Sequence, residues 1–163
     1  MKKSVKKIPL TLTVNHEEHE VYISPNKTLL EVLREEMGLS GAKEGCGEGA
    51  CGSCTALMDG KPIRSCLTLA LEAEGRDVTT VEGLASGESL DSLQEAFIEH
   101  GAVQCGFCSP GMLMSAKGLL LDNPRPDENQ IRRAISGNVC RCTGYTKIVE
   151  AISAASEKEQ TKI

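Results

Sequence analysis

A chain of 163 residues, 40% of them hydrophobic and 25% charged, has an ordinary globular balance that excludes wholesale disorder and collagen-like repeats. It is long enough for one ordinary domain or two very small ones. The net charge of −5 argues against nucleic acid as a partner, because phosphate binding draws on a basic face.

Met1-Lys2-Lys3 imitates the basic start of a signal peptide. The apolar run after Lys7, however, is short, carries Pro9 and lacks a small-residue cleavage site. The most apolar stretch, 112–121, is interrupted by Ser115 and Lys117 and falls far short of the roughly 20 residues a membrane span needs. No membrane span and a cytoplasmic location are expected, where thiols stay reduced and cysteines bind metal rather than form disulfides.

In chain order, Leu10, Leu12 and Val14 alternate with Thr11 and Thr13, a period of two that predicts a half-buried strand. Val21 to Ile23 answers it across a polar turn, so residues 8–24 read as a hairpin. Thr28 and Glu31 form a capping box, opening a helix with Leu29, Val32 and Leu33 that Gly38 stops. A glycine-rich loop covers 41–53. Thr55 to Met58 and Ile63 to Ser65 flank Asp59-Gly60, a favoured hairpin turn, and Val78 to Val81 is a last short strand. Two hairpins around one helix resemble a β-grasp sheet.

Near Gly83 the pattern changes to helical spacing. Leu90, Leu93 and Phe97 mark a helix ending at Gly101, and Ser109-Pro110 reads as an N-cap and first-turn proline for a helix running through Leu121. Asp127 and Gln130 cap a third helix stopped at Gly137. Ile148, Ile152 and Ala155 mark a fourth, with the polar tail after Ser156 frayed. The expected class is α+β: a sheet domain over 1–83, then a four-helix bundle over 84–163.

Eight cysteines are the strongest signal in the composition. Cys46, Cys51, Cys54 and Cys66 make a C-x4-C-x2-C run with one more to follow, the plant-type spacing for a [2Fe–2S] cluster. Gly45, Gly47, Gly49 and Gly52 let backbone approach a cluster and aim N–H groups at its sulfurs. Cys105 with Cys108, and Cys140 with Cys142, each precede a helix start, where free N–H groups and the positive dipole end favour negative charge. Disulfides fit poorly, since Cys140 and Cys142 are too close for an easy bridge. Redox C-x2-C chemistry fits poorly too, since Cys105-Gly106-Phe107-Cys108 opens no βαβ unit. Two iron–sulfur clusters are the leading reading, with a zinc-stapled scaffold beside it, although His16, His19 and His100 lie away from the cysteine runs.

Residues 45–54 (GCGEGACGSC), 104–111 (QCGFCSPG) and 137–145 (GNVCRCTGY) resemble the iron–sulfur subunit of the xanthine oxidase family of molybdenum hydroxylases. The resemblance covers roughly residues 8–155. It implies a β-grasp plant-type ferredoxin domain binding one [2Fe–2S] cluster and a four-helix domain binding the other. It implies a large molybdopterin-binding subunit that hydroxylates the substrate and, usually, a medium FAD-binding subunit. Gln104 matches the family glutamine that hydrogen-bonds the molybdenum cofactor, and Cys142 the cluster ligand whose sulfur also contacts the pterin. The chain itself shows no Ser/His/Asp grouping, phosphate loop or paired acid/base carboxylates, so no catalytic residue is expected in it. A free-standing two-cluster electron carrier is the alternative. Arg141 and Lys43 read as solvated charge more readily than as cluster-stabilising cations, and Phe107 as a water shield or as ordinary packing. His100 reads as a helix-end residue.

Overall fold

A computed structural model of the chain describes residues 6–160; the basic start at Met1-Lys2-Lys3 lies outside them. The hairpin at 8–24 forms as strands β1 (Ile8–Val14) and β2 (Glu17–Ile23), with every residue in antiparallel register from Ile8 opposite Ile23 to Val14 opposite Glu17. Alternation decides the facing: Leu10, Leu12 and Val14 are buried, and the intervening threonines are not. Asn15 and His16 both take positive φ in the two-residue turn, as a tight hairpin connection demands.

The capping box forms as the spacing predicts. The Thr28 hydroxyl oxygen accepts from the Glu31 amide at 3.2 Å, while the Glu31 carboxylate accepts the Thr28 amide at 2.7 Å. The helix it opens, α1 (Leu29–Glu31), lasts one turn and widens into a π-turn over Val32–Glu36. Leu29, Val32 and Leu33, at i, i+3 and i+4, share the face turned to the sheet and are all fully buried there. Thr28→Ala is expected to cost about 1 kcal/mol, read as a lowered thermal midpoint. The Glu31 carboxyl is held below its usual range, first by the Thr28 amide and then by its hydroxyl. Its contribution is therefore complete at neutral pH and fades on acidification through the folded-state pKa.

Strands β3 (Thr55–Met58) and β4 (Lys61–Arg64) pair across Asp59-Gly60, both at positive φ. Strand β5 (Asp77–Thr79) inserts between the hairpins, parallel to β1 and antiparallel to β3, giving the order β2-β1-β5-β3-β4. A short 3-10 turn at Ala70–Ala73, which no periodicity announced, closes the sheet's core with Ala70 and Ala73 fully buried.

Four helices follow: α2 (Ser92–Glu99), α3 (Ser109–Asp122), α4 (Glu128–Ile135) and α5 (Thr146–Gln160). Leu90 lies outside α2 and is exposed, because the true start is a capping box between Asp91 and Gln94. Ser109 is not the cap of α3 but its first residue; Cys108 occupies the cap position. Helix α5 continues beyond Ser156, where fraying was expected, to Gln160. His100 ends α2 as its C-cap. Leu93, Phe97, Met112, Ile131, Ile148 and Ile152 are fully buried in one aliphatic helical core. Among the described residues no helix is long and apolar enough to cross a membrane.

The halves are pressed together. Helix α3 lies on β3 and β4, and a Cβ on Gly118 would stand 2.4 Å from Pro62 Cγ, so only glycine permits that approach.

Candidate metal centres

All eight cysteines are free thiols. The fold gathers them into two groups of four, and within each group the sulfurs meet in twos. In the first group Cys54 and Cys66 bring their sulfurs to 3.3 Å, and Cys46 hydrogen-bonds Cys51. Among the described residues no three His, Cys, Asp or Glu side chains close on one point as a single-ion site requires. Paired sulfurs are compatible with two irons, each taking two thiolates.

The loop at 41–53 positions this group. The amides of Glu48, Cys51 and Ala50 point at the Cys46 sulfur, drawing its pKa down to about 7. Burial, with Cys54 alongside, pushes the Cys66 thiol up to about 11. Cys54, buried, and Cys66, half-buried, pack with Leu30 and Ala42. A Cβ on Gly45 would stand 2.8 Å from the Cys51 sulfur, so this glycine does make room at the site. Gly52 answers a different need: at φ +72°, its Cβ would lie 2.4 Å from the Gly137 carbonyl oxygen in the helical half.

The second group is built by two loops. Cys105 and Cys142 bring their sulfurs to 3.5 Å, and Cys108 pairs with Cys140. Burial beside Cys140 pushes Cys108 up to about 12. Burial also works against ionising Cys140, but the Thr143 hydroxyl and amide and the Cys142 amide outweigh it, and its pKa falls. The Phe107 amide lowers Cys105, and Cys105 in turn raises Cys142. In each group, therefore, some thiols are poised to ionise and others are held protonated by crowding. Four thiolates so close would need cations among them, which two ferric irons would supply. The residues fit a two-iron cluster at both places.

A buried polar junction connects the two groups. The Val139 amide donates to the Cys51 carbonyl at 2.8 Å. Asn138, 2% exposed, accepts from the Ser115 hydroxyl at 2.7 Å and donates to the Gly52 carbonyl at 3.0 Å. Arg64 donates to Thr55 Oγ1 at 2.7 Å and to the Gly137 carbonyl at 2.9 Å. Phe107, between two cysteines of the second group, packs its ring edge against Gly45 of the first. Asn138, Arg64 and Tyr145 were not singled out from the sequence, although two of them lie inside the 137–145 motif. Of the charged residues weighed there, Lys43 reaches the Ser40 carbonyl, and Arg141 is exposed. Gln104 is exposed next to Cys105, on the same loop.

The chain matches the family model described as "2Fe-2S iron-sulfur cluster binding domain" over residues 12–85 and that of a "[2Fe-2S] binding domain" over 80–153. It is thus a protein of two consecutive [2Fe–2S]-binding domains. It is 47% identical to the nicotinate dehydrogenase small FeS subunit of Eubacterium barkeri, across 93% of this chain and 97% of that one. The crystal structure of quinoline 2-oxidoreductase from Pseudomonas putida contains a chain that superposes with a TM-score of 0.92 at 47% identity, covering 96% of this chain and 98% of that one. Aldehyde oxidoreductase from Desulfovibrio desulfuricans gives a TM-score of 0.91 at 42% identity over 94% of this chain but 17% of that longer one. The chain belongs to the small iron–sulfur subunits of the xanthine oxidase family of molybdenum hydroxylases, carries two [2Fe–2S] clusters and serves in electron transfer.

Proposed function

We propose that Cys46, Cys51, Cys54 and Cys66 hold one cluster in a domain ending at residue 83, and Cys105, Cys108, Cys140 and Cys142 hold the other in a domain beginning at 84. Each cluster, when bound, takes up and releases one electron at a time. The chain carries electrons in the cytoplasm from a large molybdopterin-binding subunit, through its helical half and then its sheet half, to FAD on a medium subunit or to another acceptor. Gln104 hydrogen-bonds the molybdopterin, its amide donating and accepting together, and the Cys142 sulfur touches the pterin.

The observation that carries this reading is the exposure of the second group. Cys105, Cys142 and Gln104 reach the surface, and the same two loops present Val103 (43% exposed), Phe107 (47%) and Val139 (54%). An apolar rim around two exposed sulfurs is a face made to be covered, and covering it would exclude water from the transfer point. Each group keeps one cysteine buried, Cys54 in the first and Cys140 in the second, but the first has none as exposed as Cys105 and Cys142.

Anaerobic purification of the tagged chain with whatever accompanies it tests the reading. About four iron and four sulfide per chain, two reduced-state EPR signals, and co-purifying molybdenum, pterin and FAD are expected. Material that is fully loaded with iron yet purifies without any partner would favour the free-standing carrier. Zinc without sulfide would remove both readings.

A further inference from the structure

We infer that Thr143 sets the redox potential of the second centre by hydrogen-bonding the Cys140 sulfur through both its hydroxyl and its amide. The inference rests on Cys140 being a cluster ligand, as proposed above. The hydroxyl lies 3.0 Å from the sulfur and the amide nitrogen 3.4 Å. A thiolate bound to iron has no proton to give, so the hydroxyl must be the donor. Its orientation is fixed from the other side: Thr143 Oγ1 accepts the Tyr145 amide at 3.2 Å, which leaves the O–H free to aim at sulfur.

The surrounding backbone is shaped to hold this contact. Tyr145 takes φ +70°, a conformation costing a non-glycine residue of order 1 kcal/mol or more, so its neighbours must enforce it. Its phenolic oxygen accepts the Cys140 amide at 2.9 Å and donates to the Asn138 carbonyl at 3.4 Å. Cys140 is thereby gripped at its amide by one side chain and at its sulfur by another. Elsewhere in the group the donor to Cys105 is the Phe107 amide, which no substitution but proline removes.

The energetic direction is set by charge. Reduction adds one negative charge to the cluster, and part of it resides on the ligand sulfurs. Donors aimed at such a sulfur stabilise the reduced state more than the oxidised one and raise the potential. Thr143 therefore makes the second centre a readier electron acceptor, while the first centre, with its own amide donors, is untouched by it.

The test compares Thr143→Val and Thr143→Ser in the complex as purified, with both centres followed by EPR-monitored redox titration and iron counted in each sample. Valine keeps the branched shape and the amide but lacks the hydroxyl. At a fixed poise the reduced-to-oxidised ratio of the second centre should fall about three- to tenfold, tenfold being 59 mV for one electron. Serine should restore it, and the first centre should not move. A second-centre potential unchanged at full iron, or an equal displacement of both centres, overturns the proposal. If the valine variant loses iron, Thr143→Ala, which only removes atoms, is read in its place. Brief exchange of the unaltered complex into D2O labels the hydroxyl ahead of buried amides, and electron–nuclear double resonance must then lose a proton coupling at the reduced second centre. Its absence overturns the proposal as well. Cys140→Ala separates the two readings: if it leaves the iron content intact, the ligand assignment has failed, whatever Thr143 does.

Discussion

Cys108→Ala is expected to halve the iron content, from about four per chain to about two, and to abolish one of the two EPR signals while sparing the other. The size of the effect follows from the pairing of the sulfurs. On the proposed assignment Cys108, which meets Cys140, is one of four ligands, so its loss would leave the second cluster one thiolate short. The position tolerates the change structurally. Cys108 caps α3 at φ −82° and ψ −16°, a backbone alanine adopts freely, and its sulfur makes no capping hydrogen bond. A variant that keeps its helical circular dichroism and its remaining signal will have lost a ligand rather than a fold. Undiminished iron would refute the assignment of the second group.

Gly52→Ala is expected to damage both halves at once. At φ +72° an L-residue pays roughly 1–2 kcal/mol in backbone strain. The added Cβ would also stand 2.4 Å from the Gly137 carbonyl oxygen and 2.7 Å from Asn138 Nδ2. Neither neighbour can retreat, since Gly137 is held by Arg64, and Asn138 by Ser115 and Thr55. Relief requires the two loops to part, which breaks the Val139–Cys51 and Asn138–Gly52 hydrogen bonds at about 1 kcal/mol each. A loss of at least about 3 kcal/mol follows, read as a large fall in thermal midpoint together with partial loss of iron from the first centre. An unchanged melting profile would show that the junction yields where the structure has it rigid.

Much of this was legible in the residues. Alternation at Leu10, Leu12 and Val14 and the Asp59-Gly60 turn led directly to the paired strands, because burial of one sheet face leaves period-two sequence little freedom. The cysteine spacings separated two groups of four, and the family resemblance at 45–54, 104–111 and 137–145 supplied the cofactor and its context. What local pattern did not disclose was tertiary in origin. The widening of α1 into a π-turn over Val32–Glu36 has no counterpart in the capping box and apolar spacing that announced the helix. Gly52 was read as room for a cluster; the structure adds a second demand on it, the carbonyl of Gly137 on the opposite loop. Asn138 is a polar residue among others until Ser115, Thr55 and the Gly52 carbonyl converge on it from distant segments. The Asp91–Gln94 cap, by contrast, has the same spacing as Asp127–Gln130 and could have been read in advance.

Helix α3 resting on β3 and β4, with Gly118 against Pro62, has a consequence for how such a chain can be inherited. Severed at the proposed boundary of 83/84, the first portion would lose the cover over its outer strand pair, and the second would bare the carbonyl that Arg64 satisfies. Each piece is expected to be less stable alone than in the pair. The heritable block is the interlocked pair, which accords with its recurrence both as a separate polypeptide in the Eubacterium barkeri relative and as a compact segment of the much longer Desulfovibrio desulfuricans protein.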